Sequence, residues 1–378
     1  MSAYDPKRTF GLIDILKPVL CANSSLAAGS QSAKLLLLGR GVFFRGAMRR
    51  RDFITVLGGA ATVWPFAARG QQSERVRHIG ALLPFSAEDA EGKTIVTALR
   101  QGLEKFDWIE DRNIRIDYRF GGGDVVRTQA YARELVELSP EAIYAYLNGQ
   151  LAPLSHATRT IPIVFVGASD PVGAGYVESF ARPGRNITGF ILFEPSMVGK
   201  WLQALKELAP SVSQVAMMFN PETATRQGTF YSREFGTAAA ALSVESTIAA
   251  VRSANEIEAA ISALGQKPNS ALIVASDTFT SVHGELIVTL AARHRLPTVY
   301  PFPHFAKIGG LMSYGPDTHD TVRRSASYID RILKGEKPAN LPVQAPTKYQ
   351  LVINLKTAKA LGLDVPMHLQ QRADAMIE

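Results

Sequence analysis

Cysteine is almost missing from this chain of 378 residues. There is one, Cys21, near the amino end. The chain beyond it has no thiol, which excludes disulfides, thiolate metal sites and a cysteine nucleophile there. Such a chain is at home in an oxidising compartment. Net charge is also missing where a nucleic-acid surface would need it. The formal charge is +7, from 41 Lys and Arg against 34 Asp and Glu. Ten of those bases and three of those acids lie in residues 1–70. The remaining 31 of each sign cancel, so residues 71–378 carry no basic excess for DNA or RNA. No tandem repeat or low-complexity segment is visible there.

Catalytic and metal motifs are missing too. Seven histidines, at 78, 156, 283, 294, 304, 319 and 368, form no H-E-x-x-H and no ligand spacing. Gly167-Ala168-Ser169-Asp170-Pro171 starts like a nucleophile elbow but lacks the second glycine. Gly121-Gly122-Gly123 precedes Asp124 without the lysine of a phosphate loop, so it reads as a turn that needs positive φ. An enzyme is therefore not expected, and neither cofactor nor metal is implied.

What is present begins with an address. Met48-Arg49-Arg50-Arg51-Asp52-Phe53-Ile54 is a basic segment ahead of an uncharged run, Thr55 to Ala68. That run is shorter than the roughly 20 residues a membrane span requires, so it reads as a removable signal. The paired arginines with Phe-Ile beyond them resemble a twin-arginine export signal, and a cut after Gly70 is expected. Residues 1–47 show no persuasive periodicity and read as an over-extended reading frame or disordered extension, with Met48 the true start.

From Arg77 onward, apolar strands alternate with amphipathic helices. Strands are expected at 77–83, 114–118, 142–147, 161–166, 215–219, 244–248, 271–275, 298–300 and 349–354. Helices are expected at 94–106, after the cap Asp124, near 153–158, and at 195–208, 224–242, 256–264, 286–294, 318–333 and 356–361. This alternation predicts an α/β fold of two doubly wound, parallel-sheet lobes. In such sheets ligands bind beyond the carboxyl ends of strands. Those ends supply Ser86, Asn148, Gly149, Ser169, Asp170, Asn220, Ser276, Asp277 and Tyr314 as candidate ligand contacts. Asp170 or Asp277 would suit an ammonium group; helix N-termini and hydroxyls would suit a carboxylate. Ser, Asp and Asn also favour helix caps, and that reading stands beside the binding one.

Several phrases resemble one family. They are Ile161-Pro162-Ile163-Val164-Phe165-Val166 with Asp170-Pro171-Val172, Ala181-Arg182-Pro183-Gly184-Arg185-Asn186-Ile187-Thr188-Gly189, Ala291-Ala292-Arg293-His294-Arg295-Leu296-Pro297, Gly310-Leu311-Met312-Ser313-Tyr314-Gly315 and the long tail from Leu351 to Leu363. They resemble the periplasmic substrate-binding proteins of ABC transporters, including tryptophan-binding lipoproteins. The resemblance implies a type I periplasmic-binding-protein fold with a three-strand hinge, crossing near 187–195, 298–303 and 334–346. It implies an amino-terminal lobe of 71–190 plus 301–335 and a carboxyl-terminal lobe of 191–300 plus 336–378. It also implies a small-molecule ligand such as an amino acid, an ABC permease as partner, a monomer, and a periplasmic protein that is not inserted in the membrane. Asp170, Asn220 and Asp277 fall on its polar loops. Asn148-Gly149-Gln150 stands where its members carry a Gly-Thr-Pro-like turn, and Arg185 stands for the usual Gly. A periplasmic ligand sensor for a membrane receptor would capture its ligand in the same way and differs only in partner. A repressor of the same fold would need a helix-turn-helix that the leader does not supply.

Overall fold

The computed structural model describes residues 76–378, so the expectations for residues 1–47 and for the export signal at 48–70 fall outside them. The first lobe opens with β1 (Arg77–Leu83), α1 (Ala90–Glu104), β2 (Ile114–Phe120), α2 (Val125–Glu137), β3 (Ala142–Tyr146), α3 (Asn148–Ala157), β4 (Ile163–Val166) and β5 (Ile187–Phe190). Its five strands are all parallel, in the order β2-β1-β3-β4-β5. Alternate residues feed opposite faces. Ile79, Ala81 and Leu83 join Ile95 and Leu99 of α1, while Leu82 joins Ile143, Phe165 and Leu135 of α2. Burial on both faces is why β1, β3 and β4 read as nearly unbroken apolar runs, whereas the edge strand β2 alternates with Arg115, Asp117 and Arg119. The helices begin where acidic caps permit. Asp89 accepts from Gly92 N at 2.8 Å, and Asp124 accepts from Arg127 N at 2.9 Å.

The second lobe holds α4 (Met197–Leu208), β6 (Gln214–Phe219), α5 (Thr229–Ala241), β7 (Glu245–Ala250), α6 (Ala254–Gly265), β8 (Ser270–Val274), α7 (Thr278–Val282), α8 (Gly284–Arg293), β9 (Thr298–Tyr300), α9 (Pro303–Lys307) and β10 (Met312–Pro316). The chain then returns to the first lobe as α10 (Thr318–Leu333), packed on α1. It ends in the second lobe with β11 (Tyr349–Asn354), α11 (Leu355–Ala360), α12 (Met367–Arg372) and β12 (Ala375–Ile377). The second sheet runs β12-β11-β10-β9-β8-β6-β7. It is parallel from β7 to β10, but β11 is antiparallel to β10, so this sheet is mixed rather than wholly parallel.

Three crossings join the lobes, and their places differ in part from expectation. The first follows β5, at 191–196, and the third precedes β11. They pair through Ile191 N to Gln344 O at 2.9 Å and Gln344 N to Gly189 O at 2.9 Å. The middle crossing lies at Asp317, between β10 and α10, and not at 298–303. The reason is local: β9 hydrogen-bonds within the second sheet, and β10 pairs with β9 and β11 there. Residues 312–316 therefore sit in the second sheet, whereas the sequence reading assigned them to the first lobe. The expected single helix at 224–242 is also broken. Arg226, Gln227 and Gly228 have φ of 50°, 56° and 84°, and α5 starts only at Thr229. Gly228 is needed, because a Cβ there would lie 2.0 Å from the Phe219 ring.

Candidate functional site

The carboxyl ends of the strands in both lobes meet along one seam. On the first-lobe side, the turn after β3 holds Leu147 at φ 69° and ψ 168°, a backbone region that is strained for leucine. This turn sets the start of α3, where Leu147 makes no side-chain cap. Instead, Gly149 N donates to Thr278 Oγ1 of the second lobe at 3.1 Å. The absence of a side chain at Gly149 makes this approach possible, since a Cβ there would lie 2.7 Å from that hydroxyl oxygen.

A second bridge is built from Tyr231 on α5. Its hydroxyl donates to the Ser276 carbonyl at 3.2 Å and accepts from Ser169 Oγ at 3.1 Å. Burial raises the Tyr231 phenol well above its usual range, so it stays a neutral donor. The third bridge is an ion pair, Arg226 Nη1 to Asp170 Oδ2 at 3.3 Å, and Asp170 Oδ1 accepts from Gly173 N at 2.9 Å. A fourth runs from Glu91 of α1, whose Oε1 is 3.7 Å from His304 Nδ1 of the second lobe, with His319 Nε2 of the first-lobe helix α10 3.3 Å from the same oxygen. Burial pushes the Glu91 carboxyl up, but His319, His304 and Lys307 outweigh it and hold it below its usual value.

Asp277 does different work. Its Oδ1 accepts from Phe279 N at 2.6 Å, Thr280 N at 3.0 Å and Thr223 Oγ1 at 3.0 Å, and its Oδ2 accepts from Asn220 N at 3.0 Å. It is 3% exposed. Burial pushes its carboxyl up to about 6, opposed by those donors. Asp277 thus caps α7 and ties the loops of the second lobe together. Asn220 turns its own side chain to Glu222 N at 2.8 Å.

Two cavities flank the bridges. One of about 790 Å³ is lined by Asp124, Asn148, Gly149, Gln150, Thr223 and Thr278, with Val125, Val136, Ala152 and Pro153 along its walls. The other, of about 560 Å³, is lined by Ser169, Asp170, Phe193, Arg226, Phe230 and Glu234 among others. The nine residues singled out in the sequence therefore divide. Asn148 and Gly149 border the larger cavity, Ser169 and Asp170 the smaller, and Asn220, Ser276 and Asp277 are buried in the loops between. Ser86 is exposed and borders neither cavity. Tyr314 lies away from the rest: its carbonyl accepts from Trp201 Nε1 at 2.6 Å and its ring faces Tyr349. Sequence reasoning missed Gln150, Arg226, Tyr231 and Thr278. Only Gln150 and Thr278 carried a signal, each sitting next to a strand-end residue that was selected.

Two α/β lobes, each with strand ends turned toward a common seam and joined by three hydrogen-bonded crossings, define the class of the type I periplasmic binding proteins. The chain belongs to the ABC transporter substrate binding protein family, whose model matches residues 86–377. This is a family of solute-binding proteins and not of enzymes. A relative described as a tyrosine-binding protein of Clostridioides difficile is 24% identical over 263 residues, covering 70% of this chain and 75% of the relative. The solved ABC domain from Streptococcus pneumoniae in complex with L-Trp is 24% identical, with a TM-score of 0.73, and the match covers 80% of this chain and 99% of that one. A ligand-free, open substrate-binding protein from Clostridium difficile, also 24% identical, gives 0.58 over 80% and 99%. Among the described residues, no helix is long and apolar enough to cross a membrane, and no group of His, Cys, Asp and Glu is arranged to hold a metal ion.

Proposed function

We propose that the protein is the exported solute-capturing component of an ABC importer, and that it closes its two lobes on an amino acid or similar small molecule for delivery to the permease. The observation that carries this reading is the seam. Polar strand-end groups of both lobes, Gly149 with Thr278 and Ser169 with Tyr231, bond to each other beside a cavity of ligand size. Such contacts exist only when the lobes are shut, so a ligand that adds contacts to both shifts an open–closed equilibrium. The better superposition on the L-Trp complex than on the open, ligand-free protein supports a shut seam. The names of the relatives support an amino-acid ligand. The twin-arginine pattern at 48–54 supports export, followed by free diffusion in the periplasm as a monomer.

The test is a thermal-shift screen of the purified protein against amino acids, aromatic acids, sugars and purines, followed by X-ray scattering on each hit. A ligand at 100 times its Kd should stabilise by about 2.7 kcal/mol and reduce the radius of gyration. Stabilisation without compaction, or turnover of any compound, would overturn the reading. Co-purification with a sensor kinase in place of a permease would move the protein to signalling.

A further inference from the structure

The bridge at Glu91 differs from the other three in resting on a histidine, the side chain whose charge changes between about pH 5 and 8. Glu91 stands in the first turn of α1 in the first lobe, and His304 on α9 in the second. Their side chains are 17% and 18% exposed, and Glu91 Oε1 lies 3.7 Å from His304 Nδ1. The His304 ring stacks on Phe305 at 4.3 Å and on Phe302 at 5.8 Å between centroids. A charge on it is therefore taken out of water and set among apolar rings when the seam shuts.

The surroundings do not repay that cost. A cavity of about 230 Å³ beside the pair is lined by Lys307 of α9, Asp317 of the middle crossing, and His319 and Arg323 of α10. Gln350 of β11 also lines it and donates to Asp317 Oδ2 at 3.3 Å, while Arg323 faces Asp320 at 3.9 Å. Asp89, the cap of α1, adds one more acid, and burial keeps the phenol of Tyr146 on β3 neutral. Glu91 and Asp89 thus attract a charged His304, and His319 and Lys307 repel it.

We infer that the Glu91–His304 contact couples closure of the lobes to pH, so that the seam shuts at neutral pH and loosens as the medium turns acidic. The inference rests on the hinge motion of the importer reading and adds a proton as its regulator. The sign follows from the shut seam. Burial, the largest influence, holds the His304 imidazole below its ordinary value of 6.5 there, whereas an open seam exposes the ring to water. The open form takes up a proton that the shut form excludes, so closure is unhindered above that value and weakens as pH falls below it. Glu91 is held below its ordinary value of 4.5, so it stays ionised over this range, and its own loss on further acidification has the same sign.

The test is an interlobe distance measured against pH in the ligand-free protein. With Cys21→Ser, the cysteines of Val126→Cys on α2 and Glu222→Cys after β6 are the only thiols, and both sites are exposed. Spectroscopic labels there should report a shut-to-open ratio that falls at least about threefold from pH 7.5 to 5.5. His304→Gln, which keeps a polar side chain but does not titrate, should flatten that profile without lowering the melting temperature. Glu91→Gln removes an attraction for the charged ring, so the acid loss should persist and steepen. A flat profile in the parent protein, or the parent's profile retained in His304→Gln, would overturn the inference. The importer reading would survive either result if a compound in the wider screen closed the lobes. It would fall, with the pH coupling intact, if the profile appeared and no compound did.

Discussion

Asp277 shows how a residue chosen for binding can serve the fold. With both carboxylate oxygens engaged, it holds Asn220, Thr223 and the start of α7 in register. Its elevated value has a definite sign. The native state keeps a proton that the unfolded chain loses above its ordinary value of 3.8, so stability contributed below that value is lost as pH rises through about 6. Chemical denaturation of the wild type against Asp277→Asn should show this limb in the wild type alone, with an amplitude of up to roughly 3 kcal/mol. A parallel pH dependence in both proteins would count against it. Arg226 makes a weaker case, since it is half exposed in its pair with Asp170. Exposed pairs are worth little, so Arg226→Ala should weaken ligand binding by no more than about fivefold. That difference should vanish near about 1 M salt, as isothermal titration at two ionic strengths would show.

At the scale of elements, the start of α3 controls how closely the lobes meet. A side chain at Gly149 would strike Thr278, so Gly149→Val should hold the seam apart. We expect ligand affinity to fall more than about tenfold with little loss of melting temperature, because the wedge acts on closure and not on either core. Thr278→Gly in the same chain should restore part of the affinity, and failure of that rescue would place the ligand elsewhere. Most elements were legible in the sequence for a physical reason. Strands buried on two faces must be apolar throughout, and helices over them must show one apolar side, as Ile95, Leu99 and Leu103 do. The illegible parts were those decided by distant neighbours. Nothing near Leu147 announces its left-handed backbone, and nothing before Gly228 announces that the helix pattern breaks at Arg226. β5 is only four residues long and includes Gly189, which left it below the length at which alternation can be seen. The partners across the seam, Thr278, Tyr231 and Arg226, are 129, 62 and 56 residues from those they touch. Strand ends can be read locally, but their pairing cannot.

For the whole molecule, the path of the chain matters as much as its elements. The sheet of the first lobe is complete by Phe190, yet α10, which packs on α1 and over β3, β4 and β5, starts only at Thr318. A chain ending before residue 318 should therefore uncover the Gly102 side of α1 and the sheet face under α10, bind a hydrophobic dye, and show poorly protected amides in β3 and β4 by hydrogen exchange. Full protection of those strands in the truncated chain would show that the lobe stands without its last helix. The same path has a bearing on the order of folding. The ribosome must release nearly all of the second lobe before the first core can be sealed. Such a topology delays completion of the first lobe until the carboxyl half of the chain is available, wherever folding takes place.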